Sequence, residues 1–131
     1  MLSKNAQAVI EQGNSLLPAK RVTDPFDLQE KSATLLLITA KLAMERRILE
    51  GLLLRAVSVE KATYAQSFDS IAVKTVGEKQ LKTDAHVDVL KTKEETGDIK
   101  ADVAYLTTMI DIFKNAHLLY RQNLKSFNED V

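Results

Sequence analysis

A chain of 131 residues with 45% hydrophobic and 27% charged content has the size of one ordinary domain and is too apolar for global disorder. Its 18 basic and 18 acidic residues cancel, which excludes the overall positive field typical of nucleic-acid binders and makes any phosphate contact a local matter. The absence of cysteine excludes disulfides and thiolate metal sites, and only four glycines and two prolines favour helices over a sandwich or barrel.

In chain order, residues 1–23 read as an ancillary N-terminal segment, with a short, weakly amphipathic helix over Asn5–Leu17 that Pro18 ends, and Lys20 and Arg21 after it. Residues 24–131 read as a single helical-hairpin domain. Its first helix starts at Asp24 as N-cap, with Pro25 at the first helical position and Asp27 and Glu30 near the positive end of the helix dipole. It continues to about Gln66, interrupted by Gly51 alone, which either costs about 1 kcal/mol relative to alanine or marks the close approach of another helix.

Residues 67–98 form a polar connector, with SIAVKTV extended and short helical pieces in GEKQLKTDAHVDVLKTKEE. A second long helix follows from about Asp98 to Ser126. Its seam reads Ile99, Val103, Leu106, Ile110, Phe113, His117, Tyr120, Leu124 and Phe127, spaced alternately by four and three, which is heptad spacing. A second stripe runs beside it through Tyr105, Met109, Ile112, Ala116 and Leu119.

The first helix carries a comparable excess of apolar positions. One stripe holds Leu28, Leu35, Leu42, Leu49, Leu52, Ala56 and Val59; another holds Leu37, Ala40, Met44 and Ile48. One partner helix cannot cover faces this wide, and each leucine left in water forgoes about 1.5–3 kcal/mol. Self-association of the hairpins into a helical bundle or ring is therefore expected, against the alternative that residues 1–23 and the connector fold back over the spare faces. Charged residues at Lys41, Glu45, Arg46, Arg47 and Glu50 break the leucine-rich stretch, and no secretory signal pattern opens the chain. A soluble cytoplasmic protein is expected.

Chemistry-bearing patterns are sparse. Asp84, His86 and Asp88 in TDAHVD fit a solvated polar loop better than a metal site, since no second histidine cluster supports them. His117, alone in an apolar seam, is either satisfied by a neighbour such as Tyr120 or poised as an interface pH switch. VGEK at 76–79 falls short of a phosphate-cradling loop, and no nucleophile motif is present. The chain is expected to be a non-enzyme without cofactor or metal. Basic residues remain: Lys41, Arg46, Arg47 and Arg55 on the first helix, Lys61 near its end, and Lys74, Lys79 and Lys82 in the connector.

The stretch AVKTVGEKQLKTDAHVDVLKTKEETGDIKADVAYLTTMIDIFKNAHLLYRQNLKSF resembles the C-terminal part of phage recombination mediator proteins of the UvsY type. In that pattern a long helix ends near a tyrosine, as in KATYAQS here. A polar lysine-containing connector then leads through an acidic entrance into a long apolar helix that closes on an Arg/Gln-rich turn, as in YRQNL. The likeness spans roughly residues 45–127. It implies a ring-forming helical protein in the host cell cytoplasm that binds single-stranded DNA and helps load a RecA-type recombinase onto DNA coated by a single-strand-binding protein. The family's basic residues near the end of the first helix correspond to Lys61, with Arg55 a turn and a half earlier; local charge adds Lys74, Lys79 and Lys82. Few aromatic residues are available for stacking bases, so contact with the phosphate backbone is expected to dominate. The alternative function is that of a helical homo-oligomeric interaction protein, a phage assembly factor or an inhibitor of a host protein, that uses its apolar faces without touching DNA.

Overall fold

The computed structural model describes residues 2–18, 24–73 and 75–129, with side chains as far as Phe127. It is all-α: α1 (Lys4–Ser15), α2 (Pro25–Ser70), α3 (Val76–Asp84) and α4 (Val87–Glu129), with no strand among the described residues. The expected long hairpin is formed by α2 and α4, of 46 and 43 residues. No helix of the described residues is long and apolar enough to cross a membrane.

The start of α2 follows from its cap. The Asp24 carboxylate accepts from the Phe26 amide at 3.0 Å, its carbonyl accepts from the Leu28 amide at 3.0 Å, and Asp27 pairs with Lys31 one turn on at 3.1 Å. Gly51 marks no close approach among the described residues: a Cβ placed on it would meet nothing within 4 Å.

The connector is shorter and more helical than its composition suggests. The second long helix begins at Val87 rather than near Asp98. Thr92 and Thr96 look like helix breakers, yet their hydroxyls donate back to the carbonyls of Val89 and Thr92 at 2.8 and 2.9 Å, which satisfies them without leaving the helix. Thr75 caps α3 by accepting from the Glu78 amide at 3.2 Å. Only Ile71–Val73 lie outside helices on the described approach to Thr75.

The chain divides into two compact units, Leu2–Arg47 with Ala104–Val131, and Ile48–Val103. In the first, α1 joins the N-terminal half of α2 and the C-terminal half of α4 in a three-helix arrangement. Ser3 caps α1 through the Ala6 amide at 3.0 Å, and Ser3 and Asn5 donate to Glu45 at 3.1 and 3.3 Å. At the other end, the Tyr120 hydroxyl donates to the Leu16 carbonyl at 2.6 Å. These anchors run α1 antiparallel to α2. Its buried stripe, Ala6, Val9, Ile10 and Gly13, therefore faces a core of Leu28, Leu35, Ile38, Leu42, Leu106, Met109, Ile110, Phe113, Ala116 and Tyr120.

Polar rungs cross this core. His117 Nδ1 lies 2.7 Å from the Ser32 carbonyl and 2.9 Å from its hydroxyl; a carbonyl only accepts, so the ring proton sits on Nδ1. The partner is thus Ser32 on α2, not Tyr120. Arg46 reaches the Thr107 hydroxyl at 3.3 Å. Such rungs are satisfied only in one alignment of α2 with α4, and so fix their register.

The buried phenol gives a measurable consequence. Replacing Tyr120 by phenylalanine leaves the Leu16 carbonyl without its partner and keeps the ring packing. An urea titration should show a loss of about 0.5–1.5 kcal/mol with no change in m-value.

The second unit, from the C-terminal half of α2, α3 and the N-terminal half of α4, has a thinner core. Among the described residues, those buried there are Val89 and the hydroxyl-bearing Ser67, Thr83 and Thr96. Native-state hydrogen exchange should accordingly show amides of 48–103 opening at lower free energy than those around Phe113, because less apolar surface must be exposed.

Candidate functional site

The thinner unit carries the concentration of chemistry. On α2, Val57, Glu60, Lys61 and Tyr64 recur at helical spacing, and with Lys100 of α4 they line an open groove of about 400 Å³. Val57, Glu60 and Tyr64 are half-buried, whereas Lys61 and Lys100 stand exposed. Neither lysine makes an ion pair among the described residues, so both ammonium groups are available to a ligand.

One turn beyond Tyr64, Phe68 stacks beside it, the ring centroids 6.3 Å apart and the planes 18° from parallel. The Lys79 ammonium, brought in by α3, lies 4.6 Å from the Phe68 ring centroid in cation–π geometry. Asp84, at the end of α3, lies near enough to the Tyr64 phenol for its charge to act on it. Desolvation of the phenol, then the Asp84 charge, push its pKa up. The Lys79 side chain thus ties α3 to the aromatic pair on α2.

Of the basic residues singled out in the sequence, Lys61 lines the groove and Lys79 is engaged with Phe68. Arg55 and Lys82 are exposed, Lys82 in the last turn of α3. Lys74, like Lys20 and Arg21, lies outside the described residues. Tyr64, Phe68 and Lys100 were missed as site residues. The i, i+4 spacing of the two rings was visible, but nothing in the sequence announced that Lys100, thirty-nine positions after Lys61, would share its groove. The unit holds eight Lys/Arg and ten Asp/Glu, so it has no net positive charge and any phosphate contact must be local.

His86 serves the α3–α4 junction. Its Nδ1 accepts from the Asp88 amide at 3.2 Å and its carbonyl accepts from the Leu90 amide at 3.0 Å, which are the duties of an N-cap.

The apolar positions divide in two. Leu35, Leu42, Leu106, Ile110, Phe113 and Tyr120 are buried, and Leu49, Ile99, Val103 and Leu124 are half-buried. Leu52 is 42% exposed, since Leu49 and Leu53 turn inward in its place. Leu36, Leu37, Met44, Ile48 and Leu54 are more exposed still, from 55% to 73%.

These features define an all-α protein of two long helices flanked by two short ones, with a basic, aromatic-floored groove on one unit. Such a fold occurs in the crystal structure of the bacteriophage T4 recombination mediator protein UvsY, to which this chain is similar with a TM-score of 0.76 over 98% of its own length and 99% of the other's, at 16% identity. No family model matches the chain, and no curated protein matches it in sequence.

Proposed function

We propose that this chain is a phage-type recombination mediator that binds single-stranded DNA, self-associates, and helps a RecA-type recombinase load onto DNA coated by a single-strand-binding protein. The observation that carries this reading is the fold shared with a recombination mediator from end to end of both chains. At 16% identity that likeness speaks for architecture. The groove adds what is particular to this sequence: the ammonium groups of Lys61 and Lys100, without an ion pair among the described residues, in one groove with an aromatic ring. Lysines so placed bind phosphates as point charges, and repetition of the groove around an oligomer multiplies a weak contact into avidity. The exposed Leu36, Leu37, Met44 and Ile48 supply an apolar face for that assembly.

Titration of a fluorescent single-stranded oligonucleotide at several salt concentrations tests the reading. Binding should weaken as salt rises, because each neutralised phosphate on a single strand contributes about 0.7 to the slope of log K against log salt. If no salt-sensitive binding appears in about 50 mM salt, the DNA reading fails. The exposed leucines then favour a helical interaction protein that binds a foreign partner helix.

A further inference from the structure

The groove holds more than a pair of cations, and its composition indicates which part of a strand it takes. Its floor and walls are Tyr64, Val57 and Glu60, all half-buried, while Lys61 and Lys100 stand exposed. A phosphate seated on the floor would meet the Glu60 carboxylate. An uncharged, flat group would instead meet the aromatic side chain of Tyr64 and the apolar one of Val57. The neighbouring ring, Phe68, is engaged by Lys79 and does not line the groove. Tyr64 is therefore the ring of the pair that lines the groove, backed by Phe68 on the same helix.

We propose that Tyr64 forms a base-stacking subsite, in which one unpaired nucleobase lies on its ring beside Val57 and Glu60 while Lys61 and Lys100 hold the flanking phosphates. The proposal rests on the DNA-binding reading and deepens it. It makes the ligand a single strand for a physical reason, since bases inside a duplex are already stacked on one another and cannot reach the floor of a groove. It also assigns the sequence tolerance of binding to a π-face, which every base possesses.

The test compares two strands of equal length and charge, oligo-dT and its abasic counterpart, against the full chain. The wild type should bind oligo-dT roughly 5- to 150-fold more tightly, the range expected for stacking one base. Tyr64→Leu should lose that preference, and Tyr64→Phe, which keeps the ring and drops only the hydroxyl, should restore it. The protein has no tryptophan, so tyrosine emission can be followed directly. Quenching by oligo-dT should be present in the wild type and lost in Tyr64→Phe, because Tyr120 is buried and Tyr105 lies in the other unit.

Equal affinity of the wild type for both strands overturns the stacking subsite while leaving DNA binding in place. A preference that survives in Tyr64→Leu overturns it as well. Absence of binding to either strand removes the DNA reading and the subsite with it. Should Tyr64→Leu fail to fold, the wild-type comparison between the two strands decides alone.

Discussion

Phe113→Ala should lower the unfolding free energy by about 3–5 kcal/mol, a large share of the stability of a domain this size. Phe113 is fully buried, and its ring sits where the side chain of residue 13 would otherwise be. A Cβ built on Gly13 would lie 2.7 Å from both Cε atoms of the ring. The absence of a side chain on α1 is therefore what admits the phenylalanine of α4. Gly13→Ala alone gains helix propensity of about 1 kcal/mol, yet it should destabilise, since an aromatic ring held in a packed core cannot retreat at low cost. In the Phe113→Ala background the same change should become neutral or stabilising, because the cavity accepts the methyl group. Denaturant titrations of the four proteins give the coupling directly. If the two substitutions add without coupling, the close approach of α1 to Phe113 is wrong, whatever each costs alone.

That contact also shows which parts of the architecture were legible in the sequence. Heptad spacing on α4 marked its seam because the seam residues are apolar and evenly spaced, from Leu106 through Tyr120. The matching seam on α2 was half hidden. Its second register is Ser32, Ile38 and Thr39, all buried, and two of these are polar residues that read as surface. Ser32 is buried because His117 on the facing helix bonds to it, and no local pattern encodes a partner 85 residues away. The start of α4 was placed late for a related reason: threonine and glycine signal a break only when their hydroxyls and backbone have nothing better to do. The packing of α1 over the hairpin was only the alternative in the sequence, because its buried stripe is short and small, Ala6, Val9, Ile10 and Gly13, a pattern that becomes apolar core only once Phe113 is set against it. For the site, single charges could be counted along the chain, but grouping them needed the pairing of α2 with α4, which alone brings Lys100 to Lys61.

Reversal of that pair, Lys61→Glu with Lys100→Glu, should weaken single-stranded DNA binding by about 10²-fold or more at low salt. Each charge-assisted contact is worth about 1.5–3 kcal/mol, and each reversal adds repulsion. Both side chains are exposed and neither makes an ion pair among the described residues, so circular dichroism and oligomer size should not change. The residual binding should also show a shallower salt dependence, lower by about 0.7 for each phosphate no longer neutralised on each subunit. Lys79→Glu is a different experiment. It removes the ammonium from the Phe68 ring and loosens α3, so a loss of binding there would mix charge with the position of the aromatic pair. Lys82→Glu and Arg55→Glu change exposed charges that do not line the groove and should have smaller effects. If the double reversal binds as tightly as the wild type while Arg55→Glu or Lys82→Glu does not, the strand runs along the outer faces of α2 and α3. The groove at Lys61 would then have no part in holding it.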